Sequence, residues 1–212
     1  MKEKGRVIFR LKRNVGASNF KHAVGRDKLR PVLQGAGIDP VNQKLVCTDA
    51  VIMVMYPIEV FENKNNITEI ISVPTFIFDR SHYYKYQSAR GIFNMVDFIY
   101  VMDYDKQCIK VYPPLMGIDF IKEENHILKV DFIEGKFPNY KVVIPSQEKE
   151  SIDTINIDIS RIENINKAIK EVGNKEQLNR FEFNFYGKQR AILGKEISLD
   201  HPIEFILMPV AL

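Results

Sequence analysis

The order in which periodicities change along the chain constrains its fold more than any single motif. A period-two stretch gives way to a helix-like stretch and then to several more period-two stretches, and this happens three times at a spacing of roughly 60 to 80 residues. In the first round RVIFRLK (Arg6–Lys12) alternates apolar and basic residues, which reads as a half-buried strand with its basic face outward. Asn19–Gln34 places Phe20, Ala23, Val24, Leu29, Val32 and Leu33 at helical spacings, and Gly25 and Pro31 make the predicted helix short or interrupted. GAGID and LVCTDAVIMVMYPIEVF follow as strand sequence, the latter long enough for two strands or one bent strand.

The second round opens with IISVPTFIF (Ile70–Phe78) and predicts a helix through HYYKYQSARGIF, capped by Asp79 or Ser81. VDFIYVMDYDKQCIKVYP reads as a hairpin with its turn at Asp103–Gln107. HILKVDFIEGKFPNYKVVIP reads as a strand, a turn at Glu134-Gly135 and a second strand. The third round runs from TINIDI into SRIENINKAIKEVG. There Ser160 and Glu163 stand at capping-box spacing, Ile162, Ile165, Ile169 and Val172 share one face, and Gly173 is the stop. FEFNFYGKQRAILG turns Phe181, Phe183 and Phe185 inward, and PIEFILMPVAL supplies a last strand. The expected fold is α+β, built from repeated modules of strand, helix and antiparallel strands with helices on one face of the sheets. Residues 1–146 form a domain of two modules, about 1–64 and 65–146, and residues 147–212 a C-terminal module.

At 212 residues, 45% hydrophobic and 27% charged, the chain is long enough for a sizeable core. Its longest apolar runs fall short of the roughly 20 residues a membrane span needs, and its charged N-terminus lacks a following apolar segment, so a cytoplasmic location is expected. Cys47 and Cys108 lie in strand-like apolar sequence and read as buried thiols rather than a disulfide; the Asn66-Ile67-Thr68 sequon then has no significance. Residues 1–30 hold ten Lys or Arg against Glu3 and Asp27, while the rest of the chain has 20 basic against 25 acidic residues. Such polarity reads either as a solvated basic strand and helix or as a surface facing a polyanion.

Nothing in the sequence has the spacing of a catalytic or metal site. The four histidines (22, 82, 126 and 201) are scattered, and neither His-x-Glu nor Cys-x-x-Cys occurs. Gly35-Ala36-Gly37 lacks the third glycine and following helix of a dinucleotide loop. Asp49 with Glu59, or Asp103 with Asp105, are the available carboxylate pairs, and the latter reads as hairpin turn chemistry. His82-Tyr83-Tyr84-Lys85-Tyr86 has the composition of a base-stacking surface, but alternate faces of a packed helix explain it more simply. No enzymatic activity, cofactor or metal is expected.

Three stretches in order carry a family resemblance. GKFPNYKVVIP (Gly135–Pro145) resembles the segment that opens the last domain of bacterial DNA polymerase sliding clamps, a Gly-basic-Phe-Pro-Asp-Tyr run leading into an apolar stretch ending in Pro. KLRPVLQGAGID…KLVCTDAVIMV (Lys28–Val54) looks like the clamp pattern of an Arg-Pro helix, a strand and a strand ending in Ala-Thr-Asp. FILMPVAL resembles the last clamp strand, which ends Met-Pro-Met-Arg-Leu.

The resemblance implies a DNA polymerase III beta-like processivity factor that encircles or holds duplex DNA without catalysing anything. It implies a homo-oligomeric ring, and DNA polymerase or other replication proteins as partners tethered by short peptides. A sliding ring needs a positive inner surface that does not fix register. Helix-borne Lys21, Arg26, Lys28, Arg30, Arg80, Lys85, Arg90, Arg161, Lys167 and Lys170 are the inner-face candidates. The family's peptide groove maps onto Thr48, Pro145, Met208, Pro209 and Leu212, with Val51 and Met53 as neighbours; Met53 and Met208 read equally well as core. Two departures stand out: clamps usually continue Thr-Asp with Gly-His-Arg where this chain has Ala50-Val51-Ile52, and Ala211 stands where the family terminus has Arg. A bacterial clamp chain carries six modules and closes as a two-chain ring. Three modules per chain imply four chains, three chains of compressed modules, or a clamp-fold DNA-binding or protein-interaction module that forms no ring.

Overall fold

The computed structural model describes residues 5–79, 81–83, 98–113, 121–146, 148–149, 151, 155–171, 180–187, 189–198 and 200–209. Strand β1 (Arg6–Leu11), helix α1 (Ala17–Phe20), β2 (Gly35–Asp39), β3 (Lys44–Thr48) and β4 (Ile52–Asn63) make the first round. β5 (Ile71–Pro74), β6 (Ile99–Asp103), β7 (Cys108–Tyr112) and β8 (Leu128–Asp131) make the second. α2 (Ile159–Ile169), β9 (Phe181–Asn184), β10 (Ile192–Glu196) and β11 (Glu204–Leu207) make the third. The strands run β5-β2-β3-β4-β1-β6-β7-β8, and β9-β10-β11 join this path through β11 on β4. The architecture is α+β and mostly antiparallel sheet, as the periodicities require.

β4 is the pivot. Its Met53–Pro57 stretch pairs with β3 on one edge. Along the other edge β11 takes Ile52–Met55 and β1 takes Ile58–Asn63, end to end. Proline has no N–H and is excluded from most central strands. Pro57 is tolerated because its nitrogen falls at the seam where β11 ends and β1 begins, while its carbonyl still accepts from Lys12 N at 3.1 Å.

Alternation along β4 divides two cores. Val54 and Tyr56 face α1 and α2, where Tyr56 stacks edge-on to Phe20 at 4.9 Å and its hydroxyl donates to Ala168 O at 3.2 Å. Met53 and Met55 face the other way, into a smaller cluster with Val46, Ile206, Phe137 and Tyr140. The helices therefore cover one face of this sheet and the 137–140 segment the other. Phe181, Phe183 and Phe185 pack inward against the main core, and Cys47 and Cys108 are buried free thiols.

Several local readings need correction. The helix over Asn19–Gln34 is a single turn, α1, followed by loop and a 3-10 turn at Pro31–Gln34. Gly25 donates its N–H to Leu33 O at 2.8 Å instead of continuing the turn, and Pro31 opens the separate 3-10 turn as its first residue. The cap of α2 is Asp158, whose carboxylate accepts from Ser160 N at 2.9 Å, rather than Ser160 itself. The second strand expected in GKFPNYKVVIP is instead irregular chain and a 3-10 turn at Tyr140–Val143. Phe137 and Tyr140, three residues apart, are buried on one side of this segment, whereas the adjacent Val142 and Val143 remain exposed. Asp79 caps a 3-10 turn at residues 81–83 through Ser81 N at 2.9 Å. The rest of the predicted helix, and Val172 and Gly173, lie outside the described residues.

Candidate functional site

Two features stand on opposite faces of the sheet around β4. On the face away from the helices a groove of about 730 Å³ opens between the β3–β4 turn, the 134–143 segment, the 29–33 loop and the end of β11. Thr48, Val51, Met53 and Met208, four of the seven groove residues expected from the sequence, line it. Its walls are largely carbon: Leu29, Val142 and Val143 are exposed apolar side chains that face this cavity. Arg30, Glu134 and Lys136 are its charged lining. A second depression of about 310 Å³ adjoins it, sharing Val142, Val143 and Met208 and adding Pro145 and Arg190. Pro145 thus sits in the annex rather than the main groove. Pro209 is half-buried, and Leu212 lies outside the described residues.

The wall made by residues 134–143 is fastened to β2. Phe137 lies flat on Gly37, where a Cβ would come within 2.7 Å of the ring. Tyr140 donates to Asp39 Oδ2 at 3.0 Å and Lys141 Nζ lies 3.1 Å from the same oxygen. Burial alone would raise the Asp39 pKa, but bonds from the Asn42 backbone and side chain, Lys141 and Tyr140 outweigh it and hold the carboxyl below its usual range. The Gly-Lys, Phe-Pro and Tyr spacing of this segment thus seats a groove wall across a sheet.

The opposite wall is the β3–β4 turn. Asp49 Oδ1 accepts from Val51 N and Ile52 N, each at 2.8 Å, and Thr48 Oγ1 accepts from Ala50 N at 3.1 Å while donating to Ile52 O at 2.7 Å. Met208 N donates to Val51 O at 3.2 Å, which ties the turn to the C-terminal segment. Asp49 is therefore a turn carboxylate. Its sequence partner Glu59 pairs with Arg10 at 2.7 Å, and Asp103 accepts from Lys106 N in the β6–β7 turn.

On the helix side, α1 and α2 are locked together by Asn19, whose amide donates to Lys167 O at 3.2 Å and Lys170 O at 2.6 Å. This places exposed Lys21, Lys167 and Lys170 on one surface. His22, which sequence reasoning passed over because it had no metal-like spacing, belongs there too. Partial burial, and then the charges of Lys21, Lys167 and Arg26, pull its pKa below the ordinary histidine value.

Other expected inner-face residues are placed differently. Arg26, Lys28 and Arg30 are loop-borne, not helix-borne, and Arg30 lines the groove. Arg161 is held by Asp158 at 3.7 Å and donates to Met208 O at 2.8 Å. Arg80, Lys85 and Arg90 lie outside the described residues. The basic face of β1 is neutralised by Arg6–Glu62 and Arg10–Glu59 pairs. Among the described residues no group of three or more His, Cys, Asp or Glu is placed to hold a metal, and no helix is long and apolar enough to cross a membrane.

This architecture recurs in solved structures. The sliding clamp of Bacillus subtilis superposes with a TM-score of 0.58 at 12% identity, over all of this chain and 66% of that one. The DNA polymerase III beta subunit of Thermotoga maritima gives 0.57 at 13% identity, over all of this chain and 67% of its own. The Helicobacter pylori beta clamp bound to a DNA ligase peptide gives 0.56 at 13%, again over the whole chain and 67% of that clamp. The chain has the fold of bacterial DNA polymerase sliding clamps and spans about two thirds of their length. No protein-family model matches the sequence, and no curated protein matches it.

Proposed function

We propose that the chain is a non-enzymatic processivity factor of sliding-clamp type: several copies assemble around duplex DNA, and the groove tethers replication proteins by short peptides. The observation that carries this reading is the placement of the basic α1–α2 surface and the apolar groove on opposite faces of one sheet. A tether needs that separation, because the face that meets phosphate and the face that holds the partner must be occupied together. Lys21 and Lys170, with Arg26 beside His22 and Lys167 in an exposed pair with Glu163 at 3.7 Å, supply positive charge without the rigid bidentate geometry that reads bases. The groove supplies carbon walls and a methionine rim, which suit apolar side chains of varied shape. The DNA ligase peptide on the Helicobacter pylori clamp is a precedent for such an occupant.

The test is the salt dependence of binding to a fluorescent 30-bp duplex. Each phosphate-contacting Lys contributes about one unit to the slope of log K against log salt, so Lys21→Ala with Lys167→Ala lowers the slope by about two. The change should be equal on duplexes of unrelated sequence. An unchanged slope would remove DNA from the helix face and favour a clamp-fold module that binds protein partners only.

A further inference from the structure

Val142, Val143 and Met208 line both the groove and its annex, and so form the partition between the two depressions. The two valines ride on the 134–143 segment, which Phe137 and Tyr140 fasten to β2. Met208 has a different anchor. It stands one residue past Leu207, where the register of β11 with β4 ends. Its N–H donates to Val51 O at 3.2 Å, and its carbonyl accepts from Arg161 Nη1 at 2.8 Å. The β3–β4 turn thus holds one side of the Met208 backbone and helix α2 the other. The following Pro209 confines Met208 to extended backbone but leaves a broad range for the direction of its carbonyl. The guanidinium fixes that remaining torsion, through a charge-assisted bond stronger than a neutral one.

The position of Arg161 is not explained by the helix that carries it. A cation in the first turn opposes the helix dipole. Asp158 compensates in part: its Oδ1 caps the helix through Ser160 N, and its Oδ2 lies 3.7 Å from Arg161 Nε. Lys167 and Lys170, further along, belong to the basic surface, whereas Arg161 reaches the C-terminal segment. A local preference overridden at one residue points to a task for that residue.

We propose that Arg161 is a positioning residue of the groove: it acts through the Met208 carbonyl to hold the methionine on the partition, so that a bound segment meets a preset rim between groove and annex. The inference rests on the reading of this cavity as a peptide groove. Arg161 is not among the residues lining either depression, so its contribution is pre-organisation rather than contact. Without the guanidinium, the cost of ordering Met208 falls on the binding step.

Nine-residue peptides selected from a random phage-displayed library on the full chain provide the probe, fluorescein-labelled for anisotropy titration. Val142→Asp, at an exposed wall residue, establishes whether a selected peptide occupies the groove. Arg161→Met, which keeps the length of the stem and removes the donors, should weaken binding of groove peptides about twofold to tenfold, the size of the ordering cost of one side chain. Arg161→Lys, whose ammonium can donate to the same carbonyl, should recover part of that loss. Met208→Ala should also weaken binding, and in that background Arg161→Met should have no further effect, because the two residues act as one unit. Full affinity in Arg161→Met, an equal loss in both backgrounds, or groove peptides indifferent to Met208→Ala would overturn the role of Arg161 and leave the groove standing. Failure to select any peptide, or indifference of every selected peptide to Val142→Asp, would overturn the peptide groove itself and this inference with it.

Discussion

Arg13, two residues past the end of β1, is only 2% exposed and carries its charge into the interior. Its Nη1 lies 3.0 Å from Glu196 Oε2, on a carboxylate with no exposure, and donates to His201 O at 2.8 Å; its Nε reaches Glu171 at 3.0 Å. Removing one member of such a pair strands the other, which costs more than the pair itself contributes. Arg13→Leu should therefore lower the free energy of unfolding by about 3–5 kcal/mol. Arg13→Leu with Glu196→Leu should recover a large part of that deficit, as measured by urea denaturation. A single variant as stable as the native chain would show that the buried carboxylate finds another partner. In the sequence Arg13 is one of ten basic residues near the N-terminus and indistinguishable from its neighbours. Local pattern shows charge density but not which charge is paired across 183 positions of chain.

The elements that form by local rules are the ones legible in the sequence. β3 and β4 follow β-branched, apolar runs broken at Asp49–Val51, and α2 follows the spacing of Ile162, Ile165 and Ile169. The 134–145 segment defeats the same rules, because its two anchors are set by what they meet on β2. Phe137 needs the bare Cα of Gly37, and Tyr140 needs the Asp39 carboxylate. The fastening of this segment should depend on pH. Asp39 has a folded pKa below its ordinary value, so its stabilising contribution is complete above the usual carboxylate range and is lost as pH falls below about 4. Asp39→Asn should thus be clearly less stable than the native chain at pH 7, by roughly 1–3 kcal/mol. That gap should narrow in urea titrations repeated at progressively lower pH. A gap independent of pH would mean that the neutral hydrogen bonds alone hold the wall.

At the scale of the whole molecule the decisive event is the return of β11 to β4. It places Ile206 opposite Met53 and Leu207 opposite Ile52, and so brings Met208 against the β3–β4 turn to complete the groove. No periodicity reports a pairing between strands some 150 residues apart; the likeness of both ends to clamp motifs is what made this groove legible at all. The same return leaves β5, β8 and β9 at the ends of the described strand order, as edges available for pairing with another copy. Whether copies of this chain close on one another is read from the absolute mass of the purified protein by light scattering across a concentration series. A self-assembled clamp gives one closed assembly, of three or four chains, whose mass holds constant over the series. The mass of a single chain at every concentration would contradict it and leave a clamp fold that acts without a ring.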